Sequence, residues 1–291
     1  MSSPDIVCKW EPTQRTWIVG NTQYYGTGHW PTYAYPDDMV NFYAYANTDQ
    51  GAFHCAGYNE ADGKYNITDP YVSFTADQSP SGQKDFLVSE QQEYYDHYKG
   101  HVYFLFKHAC AAAQFSIKKS DKLIVNNINV SVGDIILHNV KNKGEYHYKD
   151  VNKWQNVGFS GGNTPTDYTL WDSSSQGGTS ITLTETAQIL STASTQEGKE
   201  ADYFFIIPQT LVDWNKTTPI ENLSLDYCYI ELKNVQVSQG EVSKTFEKAY
   251  LPCGVDLKMG YIHPIIISVG TALRDASGNK LITPANGFTV N

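Results

Sequence analysis

Residues 227–237 read YCYIELKNVQV. The run contains no glycine or proline, and Cys228, Ile230 and Leu232 fall on alternate positions. Side chains of a strand point to opposite faces in turn, so this spacing predicts a long strand with one apolar face. Similar runs lie on either side of it. Val40–Ala46 (VNFYAYA) sets Val40, Phe42 and Ala44 against Asn41, Tyr43 and Tyr45, one dry face and one wetter aromatic face. His101–Phe106 (HVYFLF) is apolar on both faces, which suits a central strand. Asp202–Ile207 (DYFFII) stops at Pro208, which has no N–H to give to a ladder. Tyr261–Val269 (YIHPIIISV) contains Pro264 and therefore belongs at an edge or a bulge.

Shorter segments fill the gaps. Leu123–Val130 (LIVNNINV) changes phase at Asn126-Asn127, as a bulged strand does. Asp134–Val140 (DIILHNV) follows Gly133 and reads as the second arm of a hairpin. Asp275-Ala276-Ser277-Gly278-Asn279 is a turn, after which Leu281–Val290 carries the last strand. Helical signals are few. Ser89 with Gln92 imitates a capping box, but no apolar stripe follows. Ala109–Gln114 (ACAAAQ) has helix propensity, which its strand-like flanks are expected to override.

Composition agrees with an all-β chain. Aromatic residues make up 13%, including 21 Tyr, and Tyr suits a half-buried pleated surface. The 291 residues are 41% apolar, enough to bury a core. Charged residues are 18%, against about 25% in ordinary domains. Lys and Arg total 21 against 31 Asp and Glu, a net charge of -10. Nucleic acid as a partner calls for a basic stripe, so this balance argues against it. No run approaches the ~18 apolar residues of a membrane-spanning helix. Met1-Ser2-Ser3-Pro4 shows neither the charged nor the apolar region of a secretory leader. Composition breaks between Gly158 and Ser180, where Gly, Ser, Asn and Pro crowd together. A boundary near 160 divides the chain into an N-terminal β-sandwich, residues 1–160, and a C-terminal one, residues 161–291.

A search for chemistry finds little. The five cysteines (Cys8, Cys55, Cys110, Cys228, Cys253) are widely spaced and form no CxxC pair, and they read as small buried thiols. Gly158-Phe159-Ser160-Gly161-Gly162 fits G-x-S-x-G, yet Asn163-Thr164-Pro165 follows where a nucleophile elbow needs a helix. It reads as a glycine-rich loop. The eight histidines are scattered singly, with no zinc-binding spacing. Asn59–Gly63 and Asp275–Gly278 resemble calcium loops in composition but not in ligand order. No catalytic residue, metal site or cofactor is expected. Tyr24, Tyr25, Trp30, Tyr33, Tyr35, Tyr43, Tyr45, Tyr94, Tyr95 and Tyr98 could instead stack on sugar rings, so a surface glycan-binding sandwich is the alternative function.

Several segments, taken in order, resemble the fimbrillin-like (Mfa-like) family of type V pilus subunits and related cell-adhesion proteins. They are Trp30-Pro31 with Val40–Tyr45, Asp85–Val88, Val102–Ala109, Tyr203–Gln209, Tyr250-Leu251-Pro252, and Gly260-Tyr261 leading into Ile265–Ile267. The resemblance implies two tandem Greek-key β-sandwiches of transthyretin type and no enzymatic activity. It implies a place at the cell surface, fimbrial or anchored in the outer membrane as a lipoprotein, and a leader that this chain does not display. It also implies that an N-terminal strand precedes an Arg at which a protease cuts, and that a neighbouring subunit's strand then fills the emptied groove. Here Ile6, Cys8 and Trp10 match that strand, and Arg15 matches the processing site, although Thr16-Trp17 rather than a small residue follows. Phe288 and Val290 mark a candidate C-terminal strand. The implied partners are other pilus subunits, joined by strand exchange, together with a host or bacterial surface ligand.

Overall fold

The computed structural model describes residues 8–11, 16–19, 39–48, 52–54, 58–59, 64–65, 70–79, 82–94, 103–190, 203–284 and 288–290. In chain order the first strands are β1 (Cys8–Glu11), β2 (Thr16–Val19), β3 (Met39–Ala46), β4 (Phe53–His54), β5 (Tyr58–Asn59), β6 (Lys64–Tyr65), β7 (Tyr71–Thr75), β8 (Leu87–Tyr94), β9 (Lys107–His108) and β10 (Ala111–Lys119). A short helix, α1 (Asp121–Val125), precedes β11 (Asn129–Val132), β12 (Ile135–His138), β13 (Lys143–His147), β14 (Trp154–Gly158), β15 (Tyr168–Trp171), β16 (Ile181–Thr182) and β17 (Gln188–Ile189). The rest are β18 (Phe204–Ile206), β19 (Gln209–Asp213), β20 (Tyr227–Gln239), β21 (Val242–Pro252), β22 (Val255–Leu257), β23 (Ile262–Val269), β24 (Ile282–Pro284) and β25 (Phe288–Val290). The all-β class follows the sequence pattern. Among the described residues no helix is long and apolar enough to cross a membrane, a statement that leaves strand-built spans untouched.

Two compact units share the chain. The first takes the chain up to Phe74 with Phe86–Ala109 and Gly144–Gln155; the second takes Thr75–Asp85, Cys110–Lys143 and Asn156–Asn291. Residues 110–143, which the sequence reading puts in the N-terminal domain, therefore sit with the second unit. The glycine- and serine-rich stretch after Gly158 lies wholly inside that unit, and within it Tyr168 and Leu170 are fully buried. Local composition records turns. It does not record that Gly144–Gln155 returns to the first unit, because that is fixed by long-range pairing.

The first unit holds the sheet β3-β8-β9 and, of the sheet β14-β13-β7-β4, β4 with Tyr71–Phe74, Gly144–His147 and Trp154-Gln155. Its core is aromatic. Phe74 and Phe86 stack at 4.6 Å, and Trp154 meets both edge-on, at 6.2 and 6.0 Å. The Trp154 indole N–H donates to the Ala109 carbonyl at 2.7 Å, and the Tyr148 hydroxyl to the Ala44 carbonyl at 2.9 Å. Each aromatic thus keeps its polar end satisfied while its body is buried. Ser89 sits mid-strand in β8, buried and opposite Ala44, so the capping-box signature marks no helix.

In the second unit two sheets enclose one core. One sheet runs β15-β12-β20-β11-β16, with β21 on β20. The other sets β17 and β18 antiparallel against β10, with β23 parallel to it. Ala109–Gln114 lies mostly in β10, so its flanks do override helix propensity. Phe115, Ile117, Phe204 and Val269 come from the second sheet and Val130, Leu137, Ile230, Leu232 and Leu251 from the first, all buried in one cluster.

Two expectations change here. Leu123–Val130 is not one bulged strand: Asp121–Val125 is helical and the strand begins at Asn129. Asn127 takes a left-handed conformation, φ 53°. Its N–H donates to the Ile124 carbonyl, and the Ile128 N–H donates to that of Leu123 at 2.9 Å. That bond pair is a Schellman cap, closed by buried Leu123 and Ile128. Asn tolerates the left-handed state, so the phase change at Asn126-Asn127 marks a helix end.

Nor do β11 and β12 form a hairpin. They run on in line, both antiparallel to β20, from Asn129↔Ser238 to His138↔Tyr229. The buried positions switch parity midway, from Val130 and Val132 to Ile135 and Leu137. On β20 they switch from Cys228, Ile230 and Leu232 to Val235 and Val237. The switch sits at one rung, where Asn234 has φ 50°. Opposite it, a Cβ on Gly133 would come within 3.2 Å of Asn234 Cβ.

Candidate assembly edges

β1 and β2 form a two-stranded antiparallel ribbon in which Cys8 faces Val19, Lys9 Ile18, Trp10 Trp17 and Glu11 Thr16. Cys8 and Trp10 thus lie in β1. Ile6 and Arg15 fall outside the described residues. At the other terminus Phe288 and Val290 lie in β25, which pairs with β24 through Pro284↔Phe288 and Ile282↔Val290.

Two further places carry exposed apolar side chains. Among the described residues Tyr103–Phe106 takes no part in a ladder, directly before β9 pairs with β8. Tyr103 and Leu105 are 68% and 77% exposed. The sequence reading makes this run a central strand; it is an exposed apolar segment, although Phe104 still meets Phe42 edge-on at 6.4 Å. The second is β23. Among the described residues it pairs with β10 alone, and it turns Ile262 and Ile266 outward, 64% and 56% exposed. Pro264 stands in this strand, the edge placement that a missing N–H requires.

Ser160 is held, not poised for attack. Asn142 donates from Nδ2 to Ser160 Oγ and to the Ala76 carbonyl, both at 3.1 Å. Its Oδ1 accepts from the Ser160 N–H and from Thr166 Oγ1, each at 2.9 Å. A polar group missed by sequence reading lies on the outer face of the β12-β20-β21 sheet. His138 Nδ1 is 2.8 Å from Asp167 Oδ1, and its ring stacks on Tyr229 at 4.7 Å. Glu231 is buried and takes Lys248 Nζ at 3.2 Å. Burial, with Glu231 alongside, pushes the Tyr250 phenol up to about 12. Burial, with Asp167 and Glu231, raises that of Tyr229. Outward alternation along β12 and β20 was the only available signal for this group. His138 Nε2 lies 3.9 Å from Glu231 Oε2, and among the described residues no three His, Cys, Asp or Glu side chains could hold a metal ion.

A cleft of about 250 Å³ beside Asn139, Lys141 and Gln209 is smaller than an ordinary ligand site. Its floor is structural: Gln209 accepts from the Lys141 N–H at 3.1 Å and donates to the Lys141 carbonyl at 2.7 Å. Two members of the suggested sugar platform, Tyr43 and Tyr45, are half-buried against other rings. Tyr43 packs on Tyr148 at 5.0 Å, and Tyr45 on Phe53 at 6.5 Å.

These features define an all-β chain with exposed strand edges. A sequence model of the fimbrillin-like family matches residues 7–284, and the chain belongs to that family. A crystal structure of a fimbrial protein from Bacteroides vulgatus is similar to it, with 14% sequence identity and a TM-score of 0.52. That match covers 91% of this chain and 80% of that one. A Bacteroides ovatus structure described as a proposed cell-adhesion protein also has 14% identity, over 87% of this chain and 70% of its own, with a TM-score of 0.39. No curated protein matches. At such identities the likeness concerns fold alone.

Proposed function

We propose that the protein is a non-enzymatic pilus subunit or cell-surface adhesin, assembled by β-strand addition. Membership of the fimbrillin-like family and the fimbrial neighbour support the role. The observation that carries the mechanism is the terminal ribbon: β1 is joined to β2 through four residue pairs in a sheet of its own. Cleavage after Arg15 would remove β1 with Ile6, Cys8 and Trp10. It would leave Thr16–Val19 with a row of unpaired backbone groups. A strand from a sibling subunit satisfies such a row, with main-chain bonds giving affinity and alternate side chains giving register. β25, with Phe288 and Val290, is the candidate donor once it parts from β24. Such a subunit acts outside the cell, fimbrial or held at the outer membrane, and meets sibling subunits and a surface ligand.

An Arg-specific protease tests this directly, because the chain has two arginines. Arg274 is half-buried; its guanidinium donates to the Thr271 and Leu273 carbonyls at 2.8 and 3.1 Å, and its backbone pairs with Tyr250. Limited digestion should cut after Arg15 only, leave the remainder folded by circular dichroism, and convert a monomer into strand-linked oligomers. A trimmed, folded chain that stays monomeric, also with added peptide 1–15 or 282–291, would overturn the mechanism.

A further inference from the structure

We propose that Pro264 blocks the outer edge of β23, so that a second copy of the chain cannot add a strand there. The direction of each backbone group in β23 follows from its ladder with β10. That register runs without a shift from Ala112↔Ile262 to Lys119↔Val269. At its start the Ala112 N–H donates to the Tyr261 carbonyl at 3.0 Å, and just past its end the Ser120 N–H donates to the Val269 carbonyl at 2.8 Å. Between them Ser116 Oγ lies 3.5 Å from the Ile265 carbonyl. Successive residues of a strand turn their backbone groups alternately towards one neighbour and away from it. The odd-numbered residues of β23 therefore bond to β10, and Ile262, Pro264, Ile266 and Ser268 aim their backbone groups the other way. Among the described residues no strand pairs with that side.

Without the proline this edge would invite a partner. It is eight residues long, and Ile262 and Ile266 on it are exposed. From Met259 to Leu273 the chain has no Asp, Glu, Lys or Arg. Long apolar edges template pairing with another chain, and proteins blunt them with charge, a bulge or a proline. Charge is missing here, and the unshifted register leaves no bulge. Pro264 remains. Its ring nitrogen carries no hydrogen, and its phase puts that gap on the outward side, where the ladder with β10 loses nothing. Outward N–H groups recur every two residues of a strand, about 7 Å apart, but between Ile262 and Ile266 the interval is about 13 Å. A strand laid along this edge would set one carbonyl against the pyrrolidine ring in place of a donor. A proline one residue earlier or later would remove a bond to β10 and leave the outer row whole. The edge exists before any terminal strand is cut away, so the inference does not rest on cleavage after Arg15.

The test compares the full, undigested chain with its Pro264→Val variant, since valine suits a strand and returns the missing N–H. Sedimentation velocity over a concentration series reads self-association, and near-ultraviolet circular dichroism shows that both chains are folded. One restored backbone bond should tighten self-association about tenfold. Adding Ile266→Lys should reverse that gain, because the new charge falls inside the contact. Equal self-association of the two folded chains, or a gain that Ile266→Lys leaves intact, overturns the proposal. If Pro264→Val does not fold, amide hydrogen exchange in the unaltered chain decides. The Ile262, Ile266 and Ser268 amides should exchange rapidly while those of His263, Ile265 and Ile267 stay protected. Comparable protection of the two sets would mean that this edge is already paired, and the proposal fails. None of these readouts depends on whether a chain trimmed at Arg15 polymerises, so the two readings can fail separately.

Discussion

Asn142→Ala removes a side chain that ties three stretches of the second unit together. Asn142 is buried, and its amide makes four bonds, to the Ala76 carbonyl, Ser160 Oγ, the Ser160 N–H and Thr166 Oγ1. The four are not equal. Ser160 lies in an exposed loop, so water can replace both of its lost partners at small cost. Ala76 and Thr166 are 3% and 1% exposed, and water does not reach them. A buried polar group left without a partner costs about 1–3 kcal/mol. Two such groups predict a loss of roughly 2–6 kcal/mol for Asn142→Ala. Ser160→Ala removes only exposed bonding and should cost under about 1 kcal/mol. Urea unfolding followed by fluorescence measures both, with an unchanged slope showing that the same surface is exposed. Equal losses from the two variants, or a loss below ~0.5 kcal/mol for Asn142→Ala, would refute the inequality between buried and exposed partners.

Other outcomes follow from strain and from titration. Gly278 has φ 87° and an added Cβ would lie 2.6 Å from the Lys216 carbonyl oxygen, whereas Gly177, at φ 73°, has open space around it. Gly177→Ala should cost about 1–2 kcal/mol for the left-handed conformation alone, and Gly278→Ala measurably more in the same urea assay. Burial raises the phenols of Tyr148 and Tyr168, and the Tyr250 phenol stands at about 12. Folded phenols that hold their protons above the unfolded value of ~10 stabilise fully below pH ~10 and lose that contribution as pH rises beyond it. An alkaline titration should therefore show phenolate absorbance at 295 nm rising together with loss of the near-ultraviolet dichroism; full ionisation of every tyrosine in a folded chain contradicts it.

The parts of the fold legible in the sequence are those that period two decides. β10 alternates cleanly, β20 alternates on either side of Asn234, and Pro264 marks β23 as an edge or a bulge. Leu123-Ile124 shows the limit of that reading, because two apolar neighbours fit a strand and a helical turn alike. The deciding signal was Asn127, a residue at ease with positive φ, standing where a helix can close. Interleaving of the units was hidden for another reason: Gly144–Gln155 carries no local mark that its partners lie around Tyr71 and Phe86. The exposure of Tyr103 and Leu105 could not be read from their apolarity, since hydrophobic residues need not be inside.

The shared change of parity along β11–β12 and β20 works like a reading frame. Gly133 and Asn234 let both chains swap inward for outward residues at one level, so the core stays continuous through the crossing. Adding or removing one residue between Val130 and Leu137, with no matching change in β20, would turn the remaining side chains inside out and set Ser131 or Asn129 where Val130 now sits. Homologues should therefore gain or lose residues along this pair only in compensated steps.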